Sequence, residues 1–286
     1  MTAYDYIEPE TVEEAVGLLE QHGDDAHLIA GGTSVVLMLR QHLLVPRLLV
    51  GLRRLNGLEG IRTPTDGGLE LGALTTHRAI ERSPDVARYA PALARTFGMV
   101  ATVRIRNQGT VAGNLAHADP AQDPPPILLV LDATVRVVGT DGPRELPLAD
   151  LFVDVFETSL APTDVITTVV LPPRPPGARA VYLKYLPGSK DDYATVSVAA
   201  SATVSGGTWS DVRIACGAAG PIPMRIAGAE RLLEGRSPDA AAIGRAAAIV
   251  GASIDPFDDV RGSAEYKRQM AAVWAARALR QLAERA

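Results

Sequence analysis

The sequence predicts an α+β protein built as two domains, and three observations carry that reading. A short apolar stretch, His27-Leu28-Ile29, runs into Ala30-Gly31-Gly32-Thr33-Ser34 and then into the helix-compatible Val35 to Arg40, which is a strand, a tight turn and a helix. The run Pro172-Pro173-Arg174-Pro175-Pro176-Gly177 can continue neither a helix nor a central strand, so it reads as a linker. Beyond it, three strand-like segments precede three helix-like ones, the order of a sheet backed by helices.

With 286 residues the chain exceeds the usual single-domain size. An apolar content of 47% and a charged content of 21% suit a folded globular core. The net charge of −5, with basic residues scattered, offers no general attraction to nucleic acid or anionic lipid. No apolar run approaches the roughly 20 residues of a membrane span. The segment from Met1 to Glu8 lacks the basic start and apolar core of a secretory leader, and with a single cysteine this points to the cytoplasm. Cys216 has no disulfide partner and cannot supply the roughly four ligands of an iron–sulfur cluster.

In chain order, Pro9 to His22 reads as an amphipathic helix capped by Thr11, with Glu14 three positions on, Val12, Ala15, Val16 and Leu19 on one side, and Gly23 ending it. Ser34 is the expected cap of the next helix. Pro46 breaks the pattern before a strand at Leu48 to Val50, completing a first α/β lobe. Leu58 to Arg62 and Leu69 to Ala73 predict hairpin strands across Asp66-Gly67-Gly68, and Leu74-Thr75-Thr76 opens a helix toward Glu81. A helix-prone run from Ala87 to Met99, interrupted at Pro91, leads to Arg104, where Val103 and Ile105 are expected to be buried. The apolar Ile127 to Leu131 and the strands Ala133 to Val138 and Val165 to Leu171 close the second lobe. After the linker, strands are expected at Val181 to Leu186, Thr195 to Val204 and Asp211 to Gly217. Helices follow at Met224 to Leu233, Ala240 to Val250 and Ala264 to Ala283, the last capped by Ser263 with Tyr266, Met270, Val273, Trp274 and Ala278 on one face. No internal repeat is present.

Two glycine segments stand out as chemistry. Gly31 and Gly32 allow positive φ and close approach of an anion, while the hydroxyls of Thr33 and Ser34 and a helix N-terminus supply donors, so a phosphate fits; a plain turn fits equally. The second segment, Arg104-Ile-Arg-Asn-Gln-Gly-Thr-Val-Ala-Gly-Asn-Leu-Ala-His-Ala-Asp-Pro-Ala-Gln-Asp123, holds turns at Gly109-Thr110 and Gly113-Asn114 and two Asp-Pro points. His77 and His117 lack a second histidine at metal-ligand spacing, which favours solvent-facing or turn roles over catalysis.

Taken together, AGGTS and RNQGTVAGNLAHADPAQD resemble the FAD-binding medium subunit of the molybdenum hydroxylases, the group of carbon monoxide dehydrogenase and xanthine dehydrogenase. The resemblance covers nearly the whole chain. It implies a PCMH-type FAD-binding domain over residues 1–172, with lobes at about 1–55 and 56–172, followed by a smaller α+β domain at 178–286 with a three-stranded antiparallel sheet plus helices. It implies that backbone amides of Gly31, Gly32, Thr33 and Ser34, after Ala30, hold the FAD pyrophosphate from one side. Gly109, Thr110, Val111, Ala112, Gly113 and Asn114 would hold it from the other. The family usually has two glycines where this chain has Ala112-Gly113.

By the same resemblance Asp123 reaches the cofactor's hydroxyl-bearing chain or amides, while an N-cap role is the alternative. Lys184, and Tyr193 within Lys190-Asp191-Asp192-Tyr193-Ala194-Thr195, would lie beside the isoalloxazine ring; an ordinary half-buried strand position is the other reading of Tyr193. The chain departs from the family at Leu186-Pro187-Gly188, where a basic residue is usual. In some related flavoproteins a histidine after the double glycine attaches the flavin; Thr33 stands there, so the FAD is expected to be noncovalent. No catalytic residue and no metal site is expected in this chain. The resemblance implies a small subunit with [2Fe–2S] clusters, a large molybdopterin subunit, and onward transfer of electrons to quinone, NAD or oxygen. A stand-alone flavoenzyme and a flavin-free scaffold are the rival readings.

Overall fold

The computed structural model describes residues 4–189 and 192–284. The first lobe is a three-stranded parallel sheet in the order β1-β3-β2. It runs through β1 (Asp5–Ile7), α1 (Val12–His22), β2 (Ala26–Ile29), α2 (Val35–Arg40) and β3 (Leu48–Gly51). Helix α1 starts as its sequence demands: Thr11 Oγ1 accepts the Glu14 N–H at 3.1 Å. It stops at Gly23, which takes φ +51° and donates its N–H to the Leu19 carbonyl. Ala15, Val16 and Leu19 form the buried stripe, packing with Leu48 and Val50 of β3.

The second lobe begins with β4 (Ile61–Arg62) and β5 (Leu69–Gly72), paired antiparallel across the expected turn. Four short helices follow: α3 (His77–Arg82), α4 (Pro84–Tyr89), α5 (Pro91–Gly98) and α6 (Val103–Arg106). The helix-prone run is therefore two helices. Ala90, forced extended by the following proline, sits between them at φ −155° and ψ 102°. Then come α7 (Val111–His117), α8 (Pro124–Val130), β6 (Thr134–Gly139), β7 (Gly142–Pro147), β8 (Phe152–Asp154), β9 (Glu157–Thr158) and β10 (Val165–Leu171). The main sheet is antiparallel, in the order β4-β5-β10-β6-β7. Strand β7 is mostly exposed, so it lacks the apolar alternation that would announce it.

The C-terminal sheet has four strands in the order β11-β12-β13-β14: β11 (Ala178–Tyr185), β12 (Val196–Ser205), β13 (Thr208–Gly217) and β14 (Met224–Arg225). The expected three-stranded sheet thus gains a strand from residues assigned to a helix, because the chain pairs Met224 with Cys216 before α9 (Ala227–Leu233) starts. Helices α10 (Ala240–Ser253) and α11 (Ala264–Glu284) complete the fold, with Ser263 Oγ accepting the Tyr266 N–H at 3.2 Å as the α11 cap.

Strand alternation makes this sheet two-sided. Val181, Val198, Ile214 and Cys216 face α9, α10 and α11, and burial pushes the Cys216 thiol up to about 12. Ala180, Tyr182, Ala199 and Ala215 face the other way and belong to the first domain's core. Helix α8 is wholly buried there. It opens with Pro124, Pro125 and Pro126, tolerated because first-turn N–H groups have no intrahelical partner to lose. A Cβ on Gly217 would lie 2.7 Å from Pro126 Cγ and 2.8 Å from Ser197 Oγ, so α8 and β13 are in near-backbone contact. Gly217→Ala is expected to cost about 1–3 kcal/mol by overpacking this seam, read from the midpoint of urea unfolding.

Candidate cofactor-binding site

The turn from Ala30 to Ser34 carries the chain out of β2 into α2. Gly32 takes φ +71°, a left-handed conformation that costs an L residue about 1 kcal/mol or more. The Val36 N–H donates to the Gly32 carbonyl at 3.0 Å, so helical hydrogen bonding starts at Gly32. Ser34 is already helical, at φ −90° and ψ −47°, and makes no side-chain cap bond. The expected Ser34 cap is therefore corrected: the residue lies one step inside the first turn. Its N–H and that of Thr33 have no acceptor among the described residues, as the first amides of any helix have none within it.

The second segment is anchored differently from expectation. Val103 and Ile105 are exposed, because the four-residue α6 lies on the surface. Arg106 holds the approach instead, donating to Glu81 at 3.0 Å and to the Val100 and Ala101 carbonyls at 2.9 and 2.7 Å. Thr110 caps α7, its Oγ1 accepting the Gly113 N–H at 3.2 Å. The expected row of free amides is corrected as well. Val111 N–H donates to Thr75, Ala112 N–H to Ala73 and Asn114 N–H to the Thr110 carbonyl. From Thr110 to Asn114, the Thr110 N–H alone has no acceptor among the described residues.

The two segments touch. A Cβ on Gly31 would lie 1.9 Å from the Gln108 carbonyl oxygen and 3.1 Å from the Gly109 Cα. A Cβ on Gly113 would lie 3.9 Å from the Ala30 Cβ. The bare backbone of Gly31 thus serves loop against loop, and its N–H has no acceptor among the described residues. Gly109 is backed in turn by His77, whose Cδ2 is 2.9 Å from the position of a Cβ there. His77 is 3% exposed and packs on Phe97, so a solvent-facing role is excluded. Burial, aided by Arg106, lowers its pKa to about 4. His117 ends α7 against Phe156, lowered by burial with Asp119 opposing.

Asp123 stands before α8 but makes no cap bond, since the residues whose N–H groups it would accept are prolines. Its carboxylate crosses to the C-terminal sheet. Tyr182 OH donates to Oδ1 at 2.5 Å, and Lys184 Nζ donates to Oδ2 at 2.9 Å and to the Met99 carbonyl at 3.3 Å. Asp123 is 5% exposed and the Lys184 side chain 4%. Burial raises the Asp123 carboxyl above its ordinary value, with Lys184 and Tyr182 pulling it back. Removing one partner of such a pair costs about 3–5 kcal/mol, because the other is left charged and buried.

Tyr193 lies in the loop before β12 and is exposed, so the half-buried strand position is excluded. The Arg261 guanidinium sits 5.6 Å from its ring centroid and bonds Asp192 at 2.9 Å. Desolvation and a hydrogen bond to Asp119 hold the Tyr193 hydroxyl up at about 12. Asp119 belongs to the second glycine segment, which ties the Tyr193 loop to it. Lys190 and Asp191 lie outside the described residues. Gln108, Asp119 and Tyr182 are parts of the site to which sequence reasoning gave no role, and His77 is one to which it gave a solvent-facing or turn role. Of these only Tyr182 had a usable signal, two residues from Lys184 on one strand face.

Four buried side-chain atoms around these segments, His77 Nδ1, Asn114 Oδ1, Gln122 Oε1 and Thr195 Oγ1, have no hydrogen-bond partner among the described residues. With the free N–H groups of Thr33, Ser34 and Thr110 they form a donor and acceptor set suited to an extended polar ligand rather than a metal. Among the described residues no group of three His, Cys, Asp or Glu side chains could hold a metal ion. No helix of the described residues is long and apolar enough to cross a membrane.

Residues 2–174 match the model of the FAD-binding domain in molybdopterin dehydrogenase, and residues 181–282 that of the CO dehydrogenase flavoprotein C-terminal domain. This chain is a member of that flavoprotein family. It is thus an FAD-binding chain of the medium-subunit type of the molybdenum hydroxylases, a family of oxidoreductases. It is 35% identical to the 6-hydroxypseudooxynicotine dehydrogenase complex subunit alpha of Paenarthrobacter nicotinovorans, over 99% of this chain and 96% of that one. It is 33% identical to the carbon monoxide dehydrogenase medium chain of Afipia carboxidovorans, over 99% and 98%. Among solved structures, the carbon monoxide dehydrogenase from Hydrogenophaga pseudoflava which lacks the Mo-pyranopterin moiety superposes with a TM-score of 0.94 at 34% identity, covering 97% of this chain and 96% of that one.

Gly31→Ala is expected to drive the loops apart and lower bound flavin by at least ten-fold, read from flavin absorbance per chain. Ala at Gly17, whose Cβ would meet nothing within 4 Å, serves as the control. His77 gives a pH signature. Its folded pKa of about 4 lies below the unfolded value near 6.5, so the unfolded chain binds the extra proton. Stability is therefore lost as pH falls from about 6.5 to 4, by about 3 kcal/mol from this group. His77→Phe removes that slope in urea unfolding measured across the range.

Proposed function

We propose that this chain carries electrons as the FAD subunit of a molybdenum hydroxylase complex, between [2Fe–2S] clusters of a small partner subunit and an external acceptor. A large molybdopterin subunit in the same complex would oxidise the substrate. The observation that supports the reading is the abutment of Gly31 on Gln108, which joins two donor-bearing loops, the second of them leading to Asp123 and its buried lysine partner.

In this reading the Thr33, Ser34 and Thr110 N–H groups donate to the pyrophosphate, and the first-turn dipole of α2 adds to them. Asn114, Gln122 and Thr195 meet the polar groups of the cofactor's sugar and ring system. Val111, Ala112 and Gly113 shape the wall, their N–H groups being spent within the chain. Bound FAD supplies the redox centre, held without a covalent bond. Lys184, fixed by Asp123, brings positive charge to the flavin side of the seam, and Tyr193, braced by Arg261 and Asp119, shields it from water. A cytoplasmic location accords with the reading.

The test is purification from the native source. The proposal expects a yellow complex containing iron and molybdenum, in which substrate bleaches the flavin. A flavin-loaded chain that purifies alone and is itself reduced by a small molecule would replace it with a stand-alone flavoenzyme. A folded chain that takes up no FAD would leave a scaffold.

A further inference from the structure

An ammonium carries three donors, and Lys184 uses two of them inside the chain. One goes to Asp123 Oδ2 at 2.9 Å and the other to the Met99 carbonyl at 3.3 Å. Asp123 is fixed by its place before α8 and by the Tyr182 hydroxyl. Met99 lies in the connection from α5 to α6, where Ala101 takes φ +39°, a left-handed conformation that L residues rarely adopt. The position of the lysine therefore depends on what holds that connection.

Arg106 holds it. Its side chain is 12% exposed, and its Nη1 donates to both the Val100 and Ala101 carbonyls, at 2.9 and 2.7 Å. Its Nε donates to Glu81 Oε2 at 3.0 Å, and Glu81 is seated on α3 by Arg78, which donates to Oε1 at 2.7 Å. The bonds thus run from α3 through Glu81 and Arg106 to residues 100 and 101, next to the residue whose carbonyl accepts Lys184. A left-handed alanine tied down by a largely buried guanidinium is strain held in place. Such strain collects where geometry matters to function.

We propose that Arg106 is a positioning residue for Lys184. By clamping the 99–101 connection it sets where the Met99 carbonyl stands, and so where the third N–H of the ammonium points. The inference rests on Lys184 facing the flavin, as proposed for this chain. There a fixed ammonium stabilises the negative charge that the ring gains on reduction, and a loosened one stabilises it less. Arg106 acts through the lysine rather than on the flavin.

Two measurements test this, the first without flavin. In the flavin-free full chain, acylation of Lys184 by an amine reagent, followed by mass spectrometry, is expected to be roughly ten-fold faster in Arg106→Gln, the scale of one or two lost hydrogen bonds. Arg106→Lys should behave alike, because an ammonium lacks the planar fork that reaches two carbonyls and a carboxylate together. In the FAD-loaded chain, the ratio of reduced to oxidised flavin at a fixed redox poise should fall by roughly ten-fold in both variants, as for a unit charge withdrawn by about 2 Å at close range. Arg106→Lys keeps the charge, so an equal fall separates placement of Lys184 from the field of Arg106 itself. Lys184→Met should lower the ratio alone and leave nothing for Arg106→Gln to add.

The proposal is overturned if Lys184 reacts alike in the parent and both variants, or if Arg106→Gln lowers the ratio as much in the Lys184→Met background as in the parent. Faster acylation with no change of ratio in any variant, Lys184→Met included, would support the clamp and remove Lys184 from the flavin instead. Should Arg106→Gln not fold, Glu81→Gln loosens the same clamp from its far end and carries both measurements.

Discussion

Main chain meets main chain where Gly31 passes the Gln108 carbonyl, and no side chain of any kind fits between them. That contact joins a parallel lobe to an antiparallel one. On its near side the turn leaves the Gly31, Gly32, Thr33 and Ser34 amides without an acceptor among the described residues. On its far side Gly109 is pressed on His77, and the Val111 and Ala112 amides are committed to Thr75 and Ala73. The site is thus held by hydrogen bonds and contacts made inside the chain, which fix the few donors left over for a ligand.

The second constraint is the two-sidedness of the C-terminal sheet. Period-two alternation sends Tyr182 and Lys184 toward Asp123 and sends Val181 and Leu183 toward the helices. One strand therefore contributes to two cores and to the Asp123 cluster at once. The triple proline of α8 belongs to the same arrangement. By removing the N–H groups that Asp123 would cap, it leaves the carboxylate to reach the other domain.

Much of this was legible in the sequence. The helix capped by Thr11, the hairpin around Gly67 and the long α11 follow from local rules of caps, turns and periodicity. The pairing of the two glycine segments was legible through family resemblance. What was not legible depends on tertiary placement. Gly31 and Gly109 carry no sign of what they face, and Val103 and Ile105 are as apolar as buried residues though a four-residue helix leaves them on the surface. Met224 reads as helical until β13 offers it a partner. Ser34 has the composition of a cap, but the turn at Gly32 starts the helix earlier.

The closeness of Gly217 to Pro126 also bears on motion. A sheet with both faces dry and a neighbouring helix within side-chain-free reach leaves no lubricating layer along which one half could swing. Such a seam resists sliding of one domain past the other, since any shift would open a void against close-packed backbone.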